Sequence, residues 1–204
     1  MLYWIAQGVV SSLARVFFRF RVINRERIPD EGGVIVAPNH SSYFDIPLLA
    51  AALPREANNV AKMELFHNFF VAILLKSLGG FPVRRGMGDR AALNEALKRL
   101  AAGRLLVIYP EGTRSRDGQL LPPKSGIGWL VAQSGARVVP AYIRGTNPLR
   151  LFRSITITFG EPLDFKKMLQ EAEKEEMHPK VLYGRIAHEI MGRIESLKKI
   201  GSRL

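Results

Sequence analysis

The sequence predicts an α/β domain with a largely parallel central sheet flanked by helices. Three observations predict it. Short apolar, β-branched runs alternate with helical patterns through most of the chain, which is the order of βαβ units. Two runs, Gly-Gly-Val-Ile-Val-Ala-Pro at 32–38 and Arg-Leu-Leu-Val-Ile-Tyr-Pro at 104–110, are apolar through their centres. That marks strands buried on both faces. Finally, 204 residues with 47% hydrophobic and 24% charged side chains suit one globular domain that needs no staples.

Taken in order, residues 1–19 read as a first unit and residues 20–204 as the main domain. Gln7, Ser11, Arg15 and Arg19 step by four along a narrow polar stripe, while Leu2, Trp4, Ile5, Val9, Val10, Leu13, Val16 and Phe17 cover the rest. A wide apolar face with an aromatic and basic residues predicts a helix lying in a membrane interface. The run falls short of the roughly 20 residues that cross a bilayer. It also lacks the basic start and small-residue cleavage site of a secretory leader.

Phe18–Asn24 alternates and reads as a strand. The turn at 28–33 leads into the buried strand at 32–38. Residues 45–53 read as a helix with Pro47 tolerated in its first turn. Asn58–Lys62 is a short strand, and residues 63–80 carry helical spacing that ends in glycines. Phe81–Arg85 is extended. Asp89–Gly103 is a strong helix with Gly103 at its end. After the buried strand at 104–110 comes a polar loop, then a helix at 127–135 and strands at 138–145 and 154–160. The remainder, from about Asp164, is helical and charged.

Charge points to the kind of partner. Lys and Arg total 30 against 18 acidic residues, a net of +12, and residues 55–116 hold eleven basic and five acidic side chains. Half the surplus therefore sits in the middle of the chain. A surplus of this size calls for a polyanion: anionic lipid, a phosphorylated substrate or nucleic acid. No RNA- or DNA-binding signature accompanies it, so nucleic acid is not expected. The absence of cysteine excludes a disulfide scaffold, thiolate metal ligands and a cysteine nucleophile. The four histidines show no zinc spacing, and no metal is expected.

The chemistry-bearing residues stand at strand ends, where open α/β sheets bind ligands. His40 follows the first buried strand, and Asp45 opens the helix after it. Asp45 can turn back to fix the imidazole's tautomer, which makes His40 a candidate general base. The pair is a Ser-His-Asp triad without its serine, so the nucleophile would be a substrate hydroxyl. No Gly-x-Ser-x-Gly elbow is present. Glu111, Gly112, Thr113 and Arg114 follow the second buried strand. Glycine admits close approach of a ligand, arginine offers a fork for phosphate oxygens, and Glu111 is placed to hold that arginine. Arg84 after Phe81, Lys62 at a strand end and Lys124 in the polar loop add cations to a phosphate pocket.

In this order the blocks resemble the glycerolipid acyltransferase family, in particular the bacterial 1-acyl-sn-glycerol-3-phosphate acyltransferases. Asn39-His40-Ser41-Ser42-Tyr43-Phe44-Asp45 is similar to its His-x4-Asp block, Phe81-Pro82-Val83-Arg84 to its Phe-x-x-Arg block and Glu111-Gly112-Thr113-Arg114 to its Glu-Gly-Thr-Arg block. Val139-Pro140-Ala141 with Gly145 resembles its proline-containing block, and Lys124 with Gly126 a Lys-x-Gly element. Here Pro123 stands where the family often has Phe. The resemblance implies a glycerol-3-phosphate-acyltransferase-like fold. It also implies transfer of an acyl chain from a thioester, acyl-CoA or acyl carrier protein, to the sn-2 hydroxyl of lysophosphatidate, giving phosphatidate. His40 and Asp45 would be its catalytic pair. Lys62, Phe81, Arg84, Glu111, Gly112, Thr113, Arg114 and Lys124 would bind the acceptor. No cofactor beyond the thioester co-substrate is implied. The expected location is monotopic, on the cytoplasmic face of the cell membrane. The alternatives are another lysolipid acceptor, or a non-catalytic module that binds anionic membrane.

Overall fold

The computed structural model describes residues 2–62, 67–83 and 89–201, apart from the side chains of residues 60–62, 81–83, 89–92, 200 and 201. Helices and strands alternate as the sequence predicts. The elements are α1 (Leu2–Phe17), β1 (Arg19–Ile23), β2 (Val34–Pro38), α2 (Asp45–Ala52), β3 (Ala57–Lys62), α3 (Phe69–Ser77), β4 (Gly80–Val83), α4 (Asp89–Ala101), β5 (Leu105–Val107), α5 (Ser125–Ser134), β6 (Arg137–Arg144), β7 (Ser154–Phe159), α6 (Lys166–Lys174) and α7 (Pro179–Gly201).

Several boundaries shift by a few residues, β5 for one ending at Val107 and not at 110, and two differences are larger. Helical spacing begins at Met63, but α3 starts at Phe69, where the Asn68 side chain accepts a hydrogen bond from Val71 N at 3.1 Å. An asparagine cap overrides the apolar pattern; residues 63–66 lie outside the described ones. The helical C-terminal region is split after Lys174. Glu176 turns the chain at φ 49°, and Pro179 suits the first position of α7.

The seven strands form one sheet in the order β1-β7-β6-β2-β5-β3-β4, parallel at every pair but β6 with β7. Its edges are unsuited to further pairing: β4 carries Pro82, and β1 exposes Arg19 and Arg21. Successive side chains of β2 point to opposite faces. Val34 and Val36 pack with α1 and α2, through Ala14, Leu48, Leu49 and Ala52. Ile35 and Ala37 pack with α4, α5 and α7, through Leu100, Leu130 and Ile190. Burial of both faces explains the unbroken apolar run.

The polar stripe of α1 divides: Gln7 and Ser11 are half-buried, with Gln7 turned to α2, while Arg15 and Arg19 stay exposed. Gln7 Nε2 donates to Ala50 O at 3.0 Å and Leu53 O at 2.8 Å, capping the end of α2. Tyr3 is buried; its hydroxyl donates to Arg55 O at 3.3 Å and accepts from Ala57 N at 3.1 Å. The outward stripe is apolar: Leu2, Ile5, Val9, Leu13 and Val16 are all more than half exposed. No described helix is long and apolar enough to cross a membrane.

Candidate active site

Asp45 organises the carboxyl end of β2. It is fully buried at the first position of α2, and its side chain gathers four donors. Oδ2 accepts from Ser41 N and Ser42 N, each at 2.7 Å, and lies 2.9 Å from His40 Nδ1. Oδ1 accepts from the Thr146 hydroxyl at 2.6 Å. A carboxylate only accepts. The proton between Asp45 and His40 therefore belongs to Nδ1, which leaves the Nε2 lone pair as the imidazole's free basic site. The His40 side chain is 13% exposed, so the imidazole is largely sheltered from solvent.

Glu111 braces the same histidine from its backbone side. Its residue exposure is 2%. Oε1 accepts from His40 N at 2.9 Å, and Oε2 accepts from Leu121 N at 3.0 Å. Burial raises its pKa above the ordinary carboxylate value, against the lowering effect of those two backbone donors. In the return direction Ser115 N donates to His40 O at 2.8 Å. Glu111 thus ties the loops after β2 and β5 to each other. It does not hold Arg114, as the sequence led us to expect. Arg114 instead lies over the Tyr43 ring, its guanidinium carbon 3.4 Å from the centroid, a cation–π contact.

Gly112 adopts φ 66°, a conformation that favours glycine. A β-carbon there would lie 2.8 Å from Lys124 Cδ and 3.4 Å from its Nζ. The exposed Lys124 side chain therefore lies across Gly112, in the Glu111–Arg114 turn. Thr113 is exposed beside it. The structure gathers His40, Asp45, Glu111, Gly112, Thr113, Arg114 and Lys124 at one end of the sheet. Lys62 and Phe81 end β3 and form part of β4, with their side chains outside the described residues; Arg84 lies outside them altogether.

Two contributors escape the sequence reading. Tyr109 stacks on His40 with ring centroids 4.0 Å apart and planes 28° from parallel. Its buried hydroxyl has no hydrogen-bond partner among the described residues, and burial, then the Asp45 charge, pushes its pKa well up. Thr146 arrives from β6, 101 residues beyond Asp45. Its place depends on Gly145, at φ 90°, where a β-carbon would lie 2.2 Å from Ser154 O. Position was the available signal: Tyr109 precedes Pro110-Glu111, and Thr146 follows Gly145 of the proline-containing block. Among the described residues, no cluster of three or more His, Asp or Glu forms a metal site.

This arrangement is a hydrogen-bonded histidine–carboxylate pair beside a cationic turn, at the end of a mixed sheet in an α/β fold. The Acyltransferase family model matches residues 19–144, more than half of the chain, and the chain belongs to that family. It is similar to the 1-acyl-sn-glycerol-3-phosphate acyltransferase of Bacillus subtilis, 31% identical over 147 residues, covering 70% of this chain and 73% of the relative. The enzyme of the same name from Borreliella burgdorferi is 29% identical over 186 residues, covering 87% and 72%. The crystal structure of the 1-acyl-sn-glycerophosphate (LPA) acyltransferase PlsC from Thermotoga maritima aligns with a TM-score of 0.66 at 27% identity, covering 92% of this chain and 80% of that one.

Proposed function

We propose that this acyltransferase moves an acyl chain from a thioester, acyl-CoA or acyl carrier protein, to the sn-2 hydroxyl of 1-acyl-sn-glycerol 3-phosphate, giving phosphatidate. The observation that carries the reading is the His40–Asp45 pair at 2.9 Å, with no partner on Nε2 among the described residues, in a chain whose named relatives act on that acceptor.

The chemistry needs little else. His40 Nε2 takes the proton of the acceptor hydroxyl as its oxygen attacks the thioester carbonyl carbon. The C–S bond then breaks, and the imidazolium returns the proton to the departing sulfur. No enzyme-bound acyl group is required, because the thioester is already activated. General-base help typically supplies on the order of 10² to 10⁴ in rate, and juxtaposing the two substrates can supply more. Arg114, Thr113, Gly112 and Lys124 line the side where the acceptor phosphate would lie, and Glu111 holds that turn against His40. The family resemblance adds Lys62, Phe81 and Arg84 to the acceptor side.

The lipid acceptor remains in a bilayer while the donor is soluble. The outward stripe of α1, with Trp4 half exposed, supports monotopic docking with the site open to the cytosolic donor. The test is thiol release from acyl-CoA or acyl carrier protein, with lysophosphatidate and other lysolipids as acceptors. Release with lysophosphatidate that is abolished by His40→Ala is expected. If His40→Ala kept more than about a tenth of the rate, the general-base role would be wrong. No release from either donor would favour a membrane-binding module instead.

A further inference from the structure

We propose that the β6–β7 connection, residues 145–153, is a second lipid-inserting element, with Leu151 and Phe152 as its tip. The proposal rests on the membrane-docking reading of α1 and extends it to a segment far away in sequence.

Leu151 is 62% exposed and Phe152 69% exposed, adjacent in the loop. Two large apolar side chains side by side at a loop tip are costly in water unless something covers them. Phe152 also adopts φ 61°, a left-handed conformation unusual for a bulky residue. Backbone bonds hold it there: Phe152 N donates to Phe17 O at 2.8 Å, and Arg19 N donates to Arg153 O at 3.1 Å. An exposed phenylalanine retained in a strained conformation points to a use for its ring.

The same bonds fix the tip at the end of α1, so Leu151 and Phe152 continue the surface of Leu13, Val16 and Phe17. Around it stand Arg15, Arg19, Arg150 and Arg153, all exposed. None has an acidic partner among the described residues. Apolar side chains ringed by arginines suit a bilayer surface with anionic headgroups better than a protein partner. The loop's other end carries Thr146, which contacts Asp45. Insertion here would therefore place the mouth of the site at the lipid surface.

The chain has no cysteine, so single cysteines can carry an environment-sensitive fluorophore. Labels at Phe152→Cys and Ile5→Cys, with Glu175→Cys on the exposed end of α6 as a control, would be mixed with vesicles of phosphatidylcholine and phosphatidylglycerol. Blue shifts at 152 and 5 but not at 175 are expected. A shift at 5 without one at 152 would overturn the loop proposal and leave the α1 anchor standing. A shift at 152 alone would support the loop and remove the anchor; silence at both would remove both. Phe152→Asn supplies a second reading, since asparagine tolerates the left-handed conformation. Its Tm should not fall and its turnover on detergent-dispersed acceptor should be unchanged, while vesicle binding drops about tenfold. Unchanged vesicle binding would overturn the proposal.

Discussion

The Thr146 hydroxyl donates to Asp45 Oδ1 at 2.6 Å, joining the end of β6 to the start of α2. The other oxygen of that carboxylate already serves His40 and two backbone N–H groups. Thr146 therefore sets how the carboxylate is rotated, and through it the direction of His40 Nε2. Thr146→Val keeps the shape and removes the donor, a loss of roughly 1.5–3 kcal/mol for a bond to a charged group. We expect kcat to fall about tenfold or more, with little change in acceptor KM, and Thr146→Ser to restore most of it. A proportional change in KM instead would place Thr146 in binding.

Tyr109 contributes a ring and a hydroxyl, and the geometry assigns them different values. The ring stacks on His40 at 4.0 Å and restricts the imidazole to the plane that meets Asp45. The buried hydroxyl has no partner among the described residues, and leaving such a group unpaired costs about 1–3 kcal/mol. Tyr109→Phe should thus raise Tm or leave it unchanged, and keep kcat. Tyr109→Leu should lower kcat, because the face against the imidazole is lost. Loss of activity in Tyr109→Phe would show instead that the hydroxyl meets a substrate.

The acceptor side can be probed at Arg114, which lies over Tyr43 at 3.4 Å. Stacking on an exposed tyrosine holds the guanidinium fork near the Gly112 turn before any phosphate arrives. Arg114→Ala should raise lysophosphatidate KM, through contacts worth about 1.5–3 kcal/mol. Lysine should restore only part, since the fork is lost. Tyr43→Leu should raise KM less, and Tyr43→Phe hardly at all, because a phenylalanine ring still accepts the cation. An unchanged KM in Arg114→Ala would remove Arg114 from the pocket.

The fold was legible because its signals are local. A strand buried on both faces must be apolar throughout, as 34–37 is, and His40 and Asp45 lie within one turn of chain, so their meeting followed from spacing. Relations across the sheet were hidden. Nothing near Asp45 announces Thr146, and nothing in Glu-Gly-Thr-Arg says that Glu111 turns inward to two backbone N–H groups while Arg114 turns out to an aromatic ring. The polar stripe of α1 hid its own division for a related reason. Nothing in its spacing says that Gln7 turns to the open carbonyls at the end of α2 while Arg15 stays exposed. Periodicity gives the faces of a helix but not which face meets protein when both have a use.

The packing of α1 through Tyr3, Gln7 and Ala14 decides how membrane docking should be tested. Removing α1 would strip Tyr3 and Ala14 from the core and Gln7 from the end of α2, so a truncated protein could lose activity through instability alone. The outward stripe can be changed without touching the core. Ile5, Val9 and Leu13 are 57%, 54% and 51% exposed, and none of their side chains caps α2. Replacing all three by glutamine keeps good helix formers on the surface and removes three side chains from the lipid-facing side. Each would gain roughly 1 kcal/mol on insertion, given full burial values of about 1.5–3 kcal/mol and half-buried starting points. The triple variant should keep its Tm, sediment with liposomes about a hundredfold less well, and act normally on acceptor dispersed in detergent. On acceptor embedded in vesicles its rate should fall with its binding. If it cosedimented at the wild-type level with Tm unchanged, α1 would not be the anchor.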